Sequence, residues 1–306
     1  MASLKNIKLK ILSYKKTGTV THAMEAVSAV KMRKGQERAL SGRAYAASAL
    51  SMLERLAGTS DIARHPLMRE QAGKTCCIVI TSDKGLAGSL NSGVIRGVEQ
   101  EIARLHLAKD MVVIIAIGRR GGDYFASRGY EVLVKLENMT DGVSESDIRS
   151  VTNKVVELHA QQSIGGCVVG YTNFISTFEQ APTVRQIVPI TPEVMGAIVA
   201  GIRPARGKYA PQPEKNKTSP PAAYTIEPDA DTVLTELLPK LLNIAIFHPV
   251  LESKASEHSA RMVAMKSATD KAKEMAGDLT RTFNKVRQAA ITREVSEITS
   301  GIEAMK

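Results

Sequence analysis

Apolar residues recur at alternating steps of three and four at both ends of this chain. Near the start the series runs Leu4, Ile7, Ile11 and Tyr14 and resumes at Ala46, Leu50, Leu53 and Ala57, with no proline before Pro66. That period puts one apolar stripe on one helix face and predicts a long helix over residues 1–58. Gly18, Gly35 and Gly42 each weaken such a helix by roughly 1 kcal/mol relative to Ala, so something outside must hold it straight. Near the end the steps are four, three, four, three from Leu251, Ala255, His258 and Met262 through Phe283, Val286 and Ala290. A pattern sustained over more than four heptads is a coiled-coil seam. Asp229 and Asp231 open a C-terminal shaft helix over residues 229–306, in which Pro239 and Pro249 bend the helix without ending it.

At about 1.5 Å per residue, helices of these lengths reach roughly 80 and 110 Å, too long for the inside of an ordinary domain. The long seams within the chain are each other's only match. An antiparallel pair follows, with the C-terminal helix extending beyond the N-terminal one.

The middle of the chain has a different texture. Short apolar runs at residues 75–81, 111–117, 131–136, 167–173 and 184–190 alternate with helical segments near 89–107, 121–129 and 144–161. Such alternation predicts a central α/β domain with a mostly parallel sheet over residues 75–202. Residues 203–228 hold six of the chain's 12 prolines and read as a Pro-rich loop or linker. The fold class is α/β, with a long antiparallel coiled coil of the N- and C-terminal helices.

Composition sharpens this picture. Aromatic residues are 4% of the chain and there is no Trp, which suits long Ala-, Leu- and Lys-rich helices. No uninterrupted apolar run reaches 18 residues, and the basic N-terminus lacks the apolar core of a secretory signal. Cys76, Cys77 and Cys167 lie in strand-like runs without metal-ligand spacing, so they read as buried structural thiols. The net charge of +10 is uneven: residues 1–58 carry +8, residues 59–228 carry +2 and residues 229–306 are neutral. The basic segment offers only Tyr14 and Tyr45 for base stacking, so an acidic protein surface is a better partner for it than nucleic acid.

Candidate chemistry is sparse. Gly73-Lys74-Thr75 ends like a phosphate-binding loop, but it precedes a strand and lacks the upstream glycine. The run SDKGLAGSLN, residues 82–91, follows a strand and opens a helix; a tight structural turn is the better reading, an anion cradle the other. The six histidines are scattered, and no catalytic, cofactor or metal set emerges from the residues. From residue chemistry alone the chain is an interaction or scaffold protein. The alternatives are a basic coiled-coil nucleic-acid-binding protein and a nucleotide-binding enzyme built on the α/β domain.

Three blocks then become specific: AMEAVSAVKMRKGQ at residues 23–36, ASEHSARMVAMKSATDKA at 255–272 and FNKVRQAAITREVSEITSG at 283–301. They closely resemble the terminal helices of the gamma subunit of F-type ATP synthase. SDKGLAGSLN and GRRGGDYFASRGY, at residues 118–130, resemble that family's central segments. The resemblance implies a non-catalytic central rotor, one copy per complex, turning inside a hexamer of alpha and beta subunits. It would be joined to epsilon and the membrane c-ring and would couple ion-driven c-ring rotation to ATP synthesis or hydrolysis at beta. It further implies torque contacts with beta at Met24, Glu25, Lys31, Arg33 and Lys34, and catch-loop contacts at Arg261, Arg287, Gln288 and Thr292. Ile291, Val295 and Ile298 would form an apolar tip turning in a bearing. No cofactor, metal or nucleic acid is implied. With no transit peptide ahead of the shaft helix, the expected location is peripheral, on the cytoplasmic face of a bacterial inner membrane.

Overall fold

The computed structural model describes residues 4–41, 48, 65–191, 193, 194, 196 and 229–305. The apolar series at Ala46, Leu50, Leu53 and Ala57, Gly42, and the Pro-rich stretch 203–228 lie outside the described residues. In chain order the elements are α1 (Leu4–Ser41), β1 (Lys74–Ile80), α2 (Leu90–Arg104), β2 (Val112–Ile117), α3 (Arg119–Ser127), β3 (Glu131–Leu136), α4 (Glu145–Ala160), β4 (Ile164–Phe174), β5 (Gln180–Val188) and α5 (Ala230–Ala304). They fall into two compact units, one of Met1–Ser28 with Arg261–Lys306 and one of Ala29–Ala260.

In the first unit α1 and α5 run antiparallel. Gly18 faces Ala272, and the Thr21 hydroxyl meets that of Thr269 at 2.6 Å, so three residues forward on one helix are three back on the other. Ile7, Met265, Ala272 and Ala276 are buried in this seam. Ala, Gly and Thr at the contact let the helices approach closely, and the buried Thr–Thr pair fixes register, because slippage would leave both hydroxyls without each other. Carried on, that register sets residue 4 opposite residue 286. Exposure follows: Leu279, Phe283 and Val286 are half-buried, and every described residue from Arg287 onward is exposed.

The second unit is built on a five-stranded sheet of order β3-β2-β1-β4-β5, parallel except for β5, which runs antiparallel to β4. The central strands β1 and β2 are apolar almost throughout, as strands covered on both faces must be. One face is covered by α2 and α3, through Val94, Val98, Ile102 and Phe125. The other is covered by α4 and the first third of α5, through Ile148, Val151, Val155, Leu238, Leu242 and Ile246. The cysteines are free and buried in this core, and burial pushes the Cys77 and Cys167 thiols up, which keeps them protonated and unreactive.

Asp229 starts α5: its carboxylate accepts from the Thr232 amide and hydroxyl, both at 2.8 Å. The helix continues through Pro239 and Pro249. Over Thr232–Ala304 it is the one described helix long and apolar enough to cross a membrane by composition. Its most apolar stretch, however, is spent on the sheet, where Leu234, Leu238, Leu241, Leu242 and Ile246 are at most 1% exposed.

Two glycine contrasts test this packing. A Cβ at Gly18 would stand 3.6 Å from the Ala272 Cβ, an ordinary contact, so Gly18→Ala is expected to raise stability by about 0.5–1 kcal/mol. Gly118 has φ +100°, and a Cβ there would sit 2.0 Å from the Thr81 carbonyl oxygen. Gly118→Ala should therefore cost about 3 kcal/mol or more, both read by denaturant unfolding of the chain.

Candidate functional site

An open α/β sheet ordinarily receives a ligand outside the carboxyl ends of its strands, where the strand order reverses. In this chain that ground is occupied. Val250, Ser253, Lys254 and Glu257 of α5 lie over Ile80, Thr81, Ser82, Ile117 and Gly118, leaving a cavity of about 10 Å³, room for no more than a water. Serines of α5 spaced three apart stitch it to β4 and the hairpin beyond. Ser253 Oγ accepts from the Thr172 amide, Ser256 donates to the Thr172 carbonyl and Ser259 donates to the Thr177 carbonyl at 2.6 Å.

The SDKGLAGSLN segment is the structural turn its sequence suggested. Asp83 accepts from the backbone amides of Arg119 and Asn138, both at 3.0 Å. Ser82 and Asn91 bond each other side chain to side chain, and the Ser82 hydroxyl also donates to the Lys84 carbonyl. Its polar groups are thus spent on holding three loops together. GRRGGDYFASRGY is similarly architectural. Gly118 passes against Thr81, Gly121 donates its amide to the Thr81 hydroxyl, and Gly129 turns the chain out of α3 with φ +80°.

The loop from β3 to α4 carries the densest polar cluster near the long helices. Asp141 accepts Lys31 on Oδ2 at 2.7 Å and His258 Nε2 on Oδ1 at 2.8 Å. Arg38 donates to the Asp141 carbonyl at 2.8 Å, and Lys254 to the Met139 carbonyl at 3.1 Å. Partial burial pushes the Asp141 carboxyl up, but the hydrogen bonds from Lys31 and His258, together with their charges, outweigh it and hold it down at about 2. Lys31, expected from sequence to face outward, thus rests on a carboxylate of its own chain. His258, a polar residue on an apolar seam, is there to reach the same carboxylate.

The other expected contact residues are spread out. In the second unit Arg33 is exposed and lies 3.6 Å from Glu37 one turn on, and Lys34 is exposed beside it. In the first unit Met24 and Glu25 are half-buried, with Glu25 3.5 Å from His22. Arg261 is buried at 8% exposure, whereas Arg287, Gln288 and Thr292 are exposed. Ile291, Val295 and Ile298 are 52–64% exposed and, with Ile302, form an apolar stripe at steps of four, three and four. By the Thr21–Thr269 register, Met24 stands opposite residue 266, about 30 Å along the helix from Arg287. Within this unit, Met24 and Glu25 therefore lie far along the seam from Arg287, Gln288 and Thr292.

One surface escaped the sequence reading. Leu9, Leu12, Val20 and Val27 are 50–58% exposed. Lys16 and Ala23 complete their three-four spacing, a second stripe on α1 beside the buried one. Its large apolar residues stand eight and seven positions apart across Lys16 and Ala23, and a heptad count allowing interrupted positions would have found it.

The Asp141 cluster gives a pH test. A carboxyl depressed to about 2 in the folded chain, against an ordinary 3.8, stabilises fully above the ordinary value and loses that contribution as pH falls through about 2. Asp141→Asn should therefore lower stability at pH 5–7, by no more than about 1 kcal/mol because the group is largely solvated, with the difference closing between about pH 4 and 2. Denaturant melts of both chains across that range check it.

Comparisons with known proteins agree with this architecture. The family model described as ATP synthase matches residues 3–305. The ATP synthase gamma chain of Heliobacterium modesticaldum is 36% identical over 306 residues, and that of Pelotomaculum thermopropionicum 37% over 307, each comparison covering the whole of both chains. The gamma chain of Staphylococcus saprophyticus is 31% identical over the same extent. Among solved structures, a chain of the Euglena gracilis mitochondrial ATP synthase OSCP/F1/c-ring assembly in rotational state 3 has a TM-score of 0.65 at 16% identity, covering 99% of this chain and 94% of that one. A chain of the Tetrahymena thermophila mitochondrial ATP synthase central stalk and c-ring has a TM-score of 0.57 at 21% identity, covering 81% and 99%. At those identities the two structures establish the fold.

Proposed function

The chain belongs to the ATP synthase gamma-chain family, and from that premise we propose how its surfaces do a rotor's work. It is a central rotor subunit and carries no catalytic role of its own. The observation that carries this reading is the antiparallel seam of α1 and α5, with α5 continuing as an exposed apolar stripe past the register partner of residue 4. A stripe exposed over Ile291, Val295, Ile298 and Ile302 needs a surrounding apolar surface, and a sleeve made by alpha and beta subunits supplies one. The bearing must permit turning, so interchangeable aliphatic contacts suit it better than deep interlocking pockets.

The torque surface is the basic part of α1. A rotor passing three equivalent partners gains from long-range charge, which acts before contact and is not bound to one geometry. Arg33 and Lys34 are its exposed charges, with Lys31 alongside. Met24 and Glu25 flank them on the preceding turns, and Arg287, Gln288 and Thr292 meet the catch loops nearer the tip. Arg261, being buried, takes part by supporting the helix surface around it. The α/β unit stands toward epsilon and the c-ring, and one such chain serves each complex. The complex couples proton transport to ATP synthesis and hydrolysis, and the subunit sits peripherally at the cytoplasmic face of a bacterial membrane.

Co-purification with tagged beta subunit tests membership of the complex directly. Recovery of alpha, beta and epsilon with this chain is expected, and its recovery free of them would refute the reading. Reversing Arg33 and Lys34 to Glu leaves the Lys31–Asp141 pair intact and should cut ATP-driven proton pumping severalfold while the complex still assembles. Extending the reversal to Lys31 should cost more, because it also sets two carboxylates against each other.

A further inference from the structure

We propose that Asp141 is a positioning residue that keys both long helices to the α/β body and fixes where the Lys31 charge is presented; the proposal rests on the rotor reading above. The juxtaposition is specific. One carboxylate divides its two oxygens between α1, through Lys31 at 2.7 Å, and α5, through His258 at 2.8 Å. The backbone around it is used in the same way, with Arg38 of α1 on the Asp141 carbonyl and Lys254 of α5 on that of Met139. Each helix thus makes one contact to the carboxylate and one to the loop's main chain.

The loop is itself held at both ends. Asp83 holds the Asn138 amide at its start. At its end, Ser144 and Asp147 form a reciprocal capping box on α4. Between these anchors Asp141 is a short arm on a fixed base. An aspartate suits the position because its two oxygens serve two partners at once, while its short side chain adds little slack. Because α5 is already fixed to the α/β body by its buried face and its serines, twist applied to the body reaches α1 at this point through charge-assisted bonds aligned across the loop. Slack here would waste part of each elastic step and let the Lys31 ammonium wander.

The test uses the assembled complex in inverted membrane vesicles, with proton pumping measured per ATP hydrolysed. Asp141→Ala is expected to lower that ratio about two- to fivefold, while Asp141→Glu keeps most of it. In a Lys31→Ala background the same Asp141→Ala change should cost clearly less, because the two side chains act as a unit. A normal ratio in Asp141→Ala, or an equal loss in both backgrounds, overturns the proposal. Should Asp141→Ala fail to assemble, the near-isosteric Asp141→Asn carries the same comparison. Failure of the unaltered chain to assemble with its partners would remove the rotor reading and this proposal together. A coupled wild-type complex with silent Asp141 variants would remove this proposal alone.

Discussion

The structure depends on how α5 is spent along its length. Its opening turns bury one face and the stretch from Leu241 to Ala260 has no exposed residue: Leu234, Leu238, Leu241, Leu242 and Ile246 enter the sheet's core, and Ser253 and Ser256 bond the end of β4. Its middle presents one narrow seam to α1. Its last turns present an apolar stripe that no described residue covers. Each regime needs a different pattern, buried on most sides, then heptad, then exposed stripe, and one continuous helix joins them although Pro239 and Pro249 donate no backbone hydrogen bond. Two prolines survive in the first regime because tertiary burial, rather than intrinsic propensity, holds the helix there.

The same economy governs the charges. Residues 1–58 carry +8, yet Lys31 is already matched by Asp141, leaving Arg33 and Lys34 as the outward charges of that stretch, with Arg33 beside Glu37. A like-charged surface on a helix repels itself, so one internal carboxylate at the helix's densest point lowers that cost while leaving neighbouring charge exposed. The Lys31 pair is half-exposed, and its worth lies in geometry more than in stability.

Much of this was legible because it is periodic. Both seams, the strand runs and the helix between each pair of strands came from spacing alone, and the strands fall within a few residues of their expected bounds. The buried cysteines followed from their strand context. What escaped was non-local. Nothing near Asp141 announces a partner 110 residues upstream at Lys31 and another 117 downstream at His258, and the mid-seam histidine read as a tolerated defect. The serines at 253, 256 and 259 lie off the apolar seam, so a count of hydrophobic positions passes over them. The roles of Met24, Glu25, Arg287, Gln288, Thr292 and the tip residues came from family resemblance, since their described contacts are local ones within one helix and do not define a partner.

The filled crevice explains how a fold suited to ligands serves a mechanical subunit. Fold and function are separable because function resides in particular side chains grafted onto a scaffold. Here the graft is α5 itself, laid across the carboxyl ends of β1 and β4 where a ligand would otherwise go. The tight turn of SDKGLAGSLN and the close approach at Gly118 bring three loop backbones to one place, and Asp83 uses both oxygens to bind two of them. One of the amides it binds belongs to Asn138, the start of the loop that carries Asp141. A turn shaped like an anion cradle thus becomes the foundation of a joint: Asp83 fixes the loop, the loop fixes Asp141, and Asp141 reaches both helices.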